Sequence, residues 1–595
     1  MQRPVEKRPG AAEAAVFEMD EALYAEDAFY PEEDVQVSGP FVMRGHWLYL
    51  VEVRPYRYNP FRNELSMPTQ AALKLIASGQ VSPEGVAARA AHVSPAFEDW
   101  LSAQVINPQP RALTRGLSTD KYAEGMIFVV GNAYTGNANL QNYLAAREAE
   151  GHRVVTVAMS DIGTTAAALR AYVQGEYASW SEPALSSVIL VGDVADVPTY
   201  DGSGGGNSQV TDLYYASIDT GTYASDLLAP DLMVSRISVN NATELNTYVN
   251  RAFAYIYAGF PTDLSWMRKF AFAASCDNAS ITEGTHDYAI NNYTAPAGYT
   301  GTQPSNPMAG GDQLYCGQSN ASEAAIASAL NDGRLVINFS GHGSQTLWAA
   351  LSFDDLSGVT PPDAAPFVIS NACLTGSFDY SSDCWGEQWL AHPQGAILFW
   401  GGSNSTYWDE DDILEKRMWD GVTQFGAITR NALLQTLAHY GPVGDMEYYF
   451  EIYNLLGDSS IDLYTDIPFD PTVIYPTELP IGLDQIDITV SNGGTAVQGA
   501  LVHISGGGVQ QVGYTDAAGQ VTLQMNPAPD TVGDLQVVVT GHNLRRYEGS
   551  VLVISADGPY LTHDAHELTS DGSSPVAPNP GRSIVMPISV RNVGS

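Results

Sequence analysis

His342 and Cys373 are the residues of this 595-residue chain whose types and settings suit covalent chemistry. A free thiol is only a few per cent thiolate near neutral pH, and a nearby imidazole raises that fraction or takes the proton. Each residue follows a short apolar, β-branched run. Residues 334–339 lead into Ser340-Gly341-His342-Gly343-Ser344, and residues 366–370 lead into Asn371-Ala372-Cys373. Glycines on both sides of His342 leave room for a substrate carbonyl against the backbone. The amides of Gly343 and Cys373 are natural donors to a developing oxyanion. A single Cys with a distant His is also what an inert packing thiol looks like, so the residues alone leave both readings open.

The elements that must position this pair read as a parallel sheet. Continuous apolar runs bounded by glycine and polar residues are strands buried on both faces. Ligands in such sheets sit beyond the carboxyl ends of the strands, where His342 and Cys373 both fall. From Met126 onward, strand patterns at 126–130, 153–158 and 187–191 alternate with helical spacing at 139–151 and 164–175, which predicts parallel strands under covering helices. A second α/β unit starts near Trp266, with strands at 270–275 and 395–400. Beyond Pro471 short alternating strands separated by turns such as Asn492-Gly493-Gly494 predict an immunoglobulin-like β-sandwich. Upstream, residues 1 to about 35 are acidic and poor in aliphatics and read as a mobile lead-in, while 41–53 alternate around Trp47, Tyr49 and Val51 as strands.

The expected divisions are therefore 1–121, β-rich from about 36; 122–264 and 265–469, two α/β subdomains with parallel-type sheets; 470–556, the sandwich; and 557–595, the start of a further β domain. Residues 108–121 are polar and turn-rich, as an exposed linker would be, with Arg111, Arg115 and Lys121 as processing sites. A net charge of -40 argues against a nucleic-acid partner and leaves carboxylates available for Ca²⁺. The four cysteines, Cys276, Cys316, Cys373 and Cys384, show neither a disulfide framework nor zinc-ligand spacing, and Cys276 and Cys384 read as packing thiols. No run is long and apolar enough to span a membrane, and no signal-peptide core is present. Lysine is scarce, confined to Lys7, Lys74, Lys121, Lys269 and Lys416.

The segments Ser340-Gly341-His342-Gly343-Ser344-Gln345-Thr346-Leu347-Trp348-Ala349, Asn371-Ala372-Cys373-Leu374-Thr375-Gly376-Ser377-Phe378-Asp379-Tyr380 and Cys384-Trp385-Gly386-Glu387 resemble the gingipain family of cysteine endopeptidases, secreted relatives of the caspase and legumain fold. The likeness runs, with gaps, from about Tyr122 to Pro468 and is nearest to the family's lysine-specific members. It implies a caspase-like α/β catalytic domain and a zymogen whose own prosegment covers the crevice, around residues 53–60. It also implies protein or peptide substrates and secretion or display at the cell surface. Asp277 matches the acid that orients the catalytic histidine, although an Asx-turn would use it equally well. In the loop 401–412 the resemblance gives Trp408 the stem of the residue before the cut and Asp411 its ammonium, with Ser340 lining the same pocket. The denser acidic cluster Asp409 to Asp412 leaves Arg acceptable beside Lys. Asp193, Asp219 and Asp231 match calcium ligands, with Phe378 (through its carbonyl) and Glu387 as a second site. The competing readings are a caspase-like peptidase of other specificity, and a calcium-stabilised adhesin whose peptidase module is vestigial.

Overall fold

The computed structural model describes residues 7, 19–70, 72, 74, 94–107, 117–180, 183–219, 221–260, 263–318, 320–349, 353–360, 364–421, 428–555, 561–566 and 587–592. They divide into two compact units. One comprises 1–109, 124–146 and 154–468; the other comprises 110–123, 147–153 and 469–595.

The first unit opens with a two-stranded hairpin, β1 (Val35–Met43) and β2 (His46–Val53), whose tip is Arg44-Gly45. Both tip residues have positive φ, 49° and 72°, as a tight hairpin turn between right-twisted strands requires. A helix, α1 (Pro95–Gln104), follows. Ser94 accepts the Phe97 N–H at its start, and Pro95 occupies the first turn, where its missing N–H costs nothing.

Ten strands then form one sheet: β3 (Gly125–Val130), β4 (Arg153–Ala158), β5 (Leu185–Val191), β6 (Met233–Ile237), β7 (Phe270–Ala274), β8 (Asp312–Tyr315), β9 (Val336–Ser340), β10 (Phe367–Asn371), β11 (Leu398–Gly402) and β12 (Tyr453–Gly457). Their spatial order is β8-β7-β9-β10-β11-β12-β6-β5-β3-β4. All residues of β7, β9 and β10 are buried, which explains why apolar side chains dominate them. Each wholly buried Val, Ile or Phe there contributes about 1.5–3 kcal/mol.

The sheet corrects the expectation of two separate sheets. β12 runs antiparallel to β11 and parallel to β6, so it joins the two α/β halves into one continuous layer. It escaped the pattern because it follows directly on a buried helix, with no turn residue between them.

In the second unit, strands at Thr472–Ile474, Gln485–Asn492, Gln520–Gln524 and Leu117–Ser118 form one sheet. Strands at Glu478–Pro480, Tyr547–Ile554, Gly533–Thr540, Leu501–Gly506 and Val509–Tyr514 form another. Alternate side chains, among them Ile486, Ile488, Val490, Val537 and Val551, make a shared apolar core. The supposed linker belongs to this unit. The Asp120 carbonyl accepts the Val512 N–H (2.8 Å) and the Lys121 carbonyl accepts the Gln510 side chain (3.2 Å). Backbone held in this way is poorly presented to a protease, unlike the exposed linker expected around Lys121. Arg111 and Arg115 lie outside the described residues.

Candidate active site

Three adjacent parallel strands end level with one another: Ala274 of β7 pairs with Ser340 of β9, and Ser340 pairs with Asn371 of β10. Asp277, His342 and Cys373 therefore each lie two or three residues past a common rim. Their distance along the chain disappears at that rim. His342 Nε2 is 2.5 Å from Asp277 Oδ2. Burial pushes the Cys373 thiol up, opposed by the Thr406 N–H, which donates to Sγ at 3.2 Å, and by the positive charge of Lys7. Leu374, directly after Cys373, has φ 63°, a costly conformation for a branched side chain that makes the turn sharp at Cys373.

The glycines beside His342 serve the protein itself rather than an approaching substrate. A Cβ on Gly343 would lie 2.7 Å from the Cys373 carbonyl oxygen and 2.7 Å from Thr375 Cγ2. A Cβ on Gly341 would lie 2.6 Å from that of Ser275. Only bare backbone lets the histidine loop pack between the aspartate and cysteine loops.

Cys276 is not a packing thiol. It forms a disulfide with Cys316, 40 residues on, immediately before Asp277. β7 and β8 pair in register up to Ala274 and Tyr315, which brings the two sulfurs together past the strand ends. Spacing of 40 residues matches no motif, so only the topology reveals the pair. Cys384 remains a buried thiol at the start of α3 (Trp385–Ala391) after α2 (Ala279–Ala289).

The rim is occupied by Lys7. Its carbonyl oxygen is 2.9 Å from His342 Nδ1 and 3.7 Å from Cys373 Sγ, and its N–H donates to the Thr406 carbonyl (3.0 Å). Its ammonium is 2.7 Å from Asp411 Oδ2, donates to the Asn371 carbonyl (2.6 Å) and lies 5.0 Å from the centre of the Trp408 ring. The Lys7 and Asp411 side chains are 0% and 1% exposed. Lys7 falls in a stretch read as a mobile lead-in, yet its side chain is fully buried. Scarcity of lysine is the one sequence feature that singles Lys7 out.

Trp408 and Asp411 open α4 (Trp408–Asp420), and their carboxylate neighbours point elsewhere. Asp412 pairs with Lys416 at 2.8 Å, and Glu410 is buried with its carboxyl pushed up to about 7 by desolvation. Ser340 is buried at the end of β9, where its carbonyl accepts the Ser275 N–H (3.0 Å). Among the described residues it makes no hydrogen bond to Lys7. Neither the Gly343 nor the Cys373 amide donates to the Lys7 carbonyl, which turns to the imidazole instead. Tyr449 and Tyr453, unremarked in the sequence, donate to Asp411 Oδ1 at 3.0 and 2.7 Å.

The hairpin β1–β2 docks beside the sheet through its tip. The Arg44 N–H donates to Asp231 Oδ1 (2.8 Å) and the Gly45 N–H to Asp219 Oδ2 (2.6 Å), while the Arg44 guanidinium donates to the carbonyls of Leu185 and Asp231. Asp231 Oδ2 accepts the N–H groups of Ile218 and Asp219. These two carboxylates are thus engaged by backbone rather than grouped for an ion. Glu387 accepts the Ser238 hydroxyl (2.5 Å) and the Cys384 N–H (2.8 Å), capping α3. Asp193 accepts the Val194 N–H, and the Phe378 ring lies beneath the Arg236 guanidinium. Among the described residues no three His, Cys, Asp or Glu side chains gather at one point.

A model of peptidase family C25 matches residues 120–464, more than half of the chain. The chain belongs to peptidase family C25. A model of the C25 propeptide matches residues 8–87, so the docked hairpin is part of a prosegment. Among curated C25 relatives, a Lys-gingipain of Porphyromonas gingivalis is 26% identical over 577 residues, covering 89% of this chain and 31% of its own length. Gingipain R2 of the same species is 22% identical over 568 residues, covering 90% of this chain and 73% of its own. The chain spans about a third of the Lys-gingipains it matches. A solved structure titled as a protease is 25% identical with a TM-score of 0.62, covering 72% of this chain and 97% of that one. The Arg-specific cysteine proteinase gingipain R has 21% identity and a TM-score of 0.63, covering 72% and 98%, and supports the fold alone.

Proposed function

We propose that this C25 chain is the latent form of a secreted or cell-surface cysteine endopeptidase that cuts after Lys. The observation that carries the reading is the Lys7 carbonyl, which His342 and Cys373 both approach while the Lys7 side chain fills a carboxylate-based pocket. In the reaction, His342 takes the thiol proton as Cys373 Sγ bonds to the carbonyl carbon of a substrate lysine. The amides of Gly343 and Cys373 donate to the oxyanion. Collapse breaks the C–N bond, His342 returns the proton to the leaving amine, and a thioester remains. Water, deprotonated by His342, then releases the acid and restores the thiol. Asp277 holds the far nitrogen, fixing the ring and stabilising the imidazolium.

Latency follows from orientation. With Lys7 bound, the ring is held between two oxygens, the Lys7 carbonyl at Nδ1 and the Asp277 carboxylate at Nε2. The Lys7 carbonyl engages the ring nitrogen that would otherwise take the thiol proton, and neither the Gly343 nor the Cys373 amide donates to it. The prosegment thus inhibits as a misaligned substrate. The disulfide Cys276–Cys316 supports an oxidising, extracellular setting.

The test is a peptide library incubated with the matured chain and with Cys373→Ala, with cuts read by mass spectrometry. Cuts after Lys that vanish with the substitution are expected. Products unaffected by it refute the mechanism, and cuts only after uncharged residues refute the specificity. A thiol that resists a peptidyl ketone label after the prosegment is removed favours the vestigial module instead.

A further inference from the structure

We propose that Tyr449 and Tyr453 are specificity-determining residues that favour Lys over Arg by occupying one oxygen of Asp411. The inference rests on the peptidase reading above and names what sets its selectivity.

Tyr449 lies on α6 (Gly444–Ile452), which follows α5 (Ile428–Tyr440), and Tyr453 is the first residue of β12. Their hydroxyls donate to the same atom, Asp411 Oδ1, at 3.0 and 2.7 Å. Tyr449 also accepts the Tyr407 N–H (2.8 Å), directly before the helix that carries Asp411. Both rings are held by packing: Tyr453 lies 4.9 Å from Trp400 and 5.7 Å from Tyr449 between ring centres. Burial, reinforced by the charge of Asp411, pushes both phenols well above their usual range, so they stay donors.

With Oδ1 taken, the pocket presents one carboxylate oxygen, Oδ2, beside one backbone oxygen, that of Asn371, and the face of Trp408. This set suits an ammonium, a compact charge whose three donors spread tetrahedrally. A guanidinium binds carboxylate best as a planar fork across both oxygens. Here the fork would have to displace two buried hydroxyls from Oδ1 and leave them unpaired, or settle for one contact and leave its other donors unmet.

The full chain, allowed to mature, is assayed with paired peptide amides that differ only in Lys or Arg before the cut. Y453F and the double substitution Y449F/Y453F are expected to lower the Lys-to-Arg ratio of kcat/KM by about tenfold or more, mainly by raising the Arg arm. A ratio within about twofold of the unsubstituted chain overturns the inference. If the unsubstituted chain cuts neither peptide, the peptidase reading falls and takes this one with it. If it cuts after Lys and the variants keep its ratio, only the tyrosine assignment falls. K7R provides a test that leaves the pocket intact. In the latent chain it should speed alkylation of Cys373 by iodoacetamide about tenfold or more, because Arg seats poorly. Protection equal to that given by Lys7 overturns the inference.

Discussion

Replacing Lys7 with alanine should unlock the thiol without touching the catalytic side chains. The ammonium and the Asp411 carboxylate are 2.7 Å apart and almost fully buried. At an effective dielectric of about 20 their gross attraction is about 6 kcal/mol, and desolvation cancels part of it. Truncating one partner of such a pair costs roughly 3–5 kcal/mol, because the other charge is left buried and alone. The Asn371 hydrogen bond and the Trp408 contact are lost with it. Local departure of the segment from the rim becomes easier by a factor between about a hundred and a few thousand. The assay is the rate of iodoacetamide labelling in the full chain. It reports on one site, since Cys276 and Cys316 are bonded and Cys384 is wholly buried with its thiol pushed well up by desolvation. Lys7→Ala should raise the rate by about a hundredfold or more. A rise of less than about threefold would mean that Lys7 does not guard Cys373, and the substrate-like account of latency would fail.

Asp277→Asn should keep the fold and lower kcat by about 10²–10⁴, since the amide can hold the ring in the wrong tautomer; steady-state kinetics with circular dichroism as a fold control checks this. Gly343→Ala should cost about 1–3 kcal/mol in denaturant unfolding and abolish turnover, because the added methyl drives the histidine loop off the Cys373 carbonyl. Glu410 is buried and faces the like charges of Asp409, Asp411 and Asp445, which together with desolvation hold its carboxyl near 7 against an ordinary 4.5. Unfolding releases that proton more readily, so Glu410 costs stability progressively as pH rises from about 4.5 to 7, reaching at most ~3 kcal/mol above that. Glu410→Gln should remove this slope, read as the difference between the two melting temperatures against pH.

The rim was legible because buried parallel strands leave a clear pattern, and their register turns strand ends into neighbours. His342 and Cys373 could be placed from glycine and apolar runs alone. Asp277 could not, since one aspartate after a strand serves a turn as readily as an imidazole. The joining strand β12 was hidden by its abrupt start after a helix. Cys276–Cys316 was hidden because a bond across 40 residues depends on β7 and β8 being neighbours. Lys7 was missed for a different reason. The sequence around it shows no apolar periodicity, and its burial depends on a pocket assembled hundreds of residues later. The aspartates matched to calcium lie past strand ends, where backbone N–H groups donate to Asp193, Asp219 and Asp231.

The two sulfur sites of the catalytic unit make opposite demands on their surroundings. The link beside Asp277 endures only where oxidants prevail, while Cys373 is useful only while it escapes them. In the latent chain the nucleophile is 5% exposed, with the Lys7 carbonyl set against it. On the function proposed above, the prosegment is a stopper as well as an inhibitor, keeping the sulfur of Cys373 covered until it leaves. Uncorking starts a clock, because an accessible thiolate in such a medium has a finite working life.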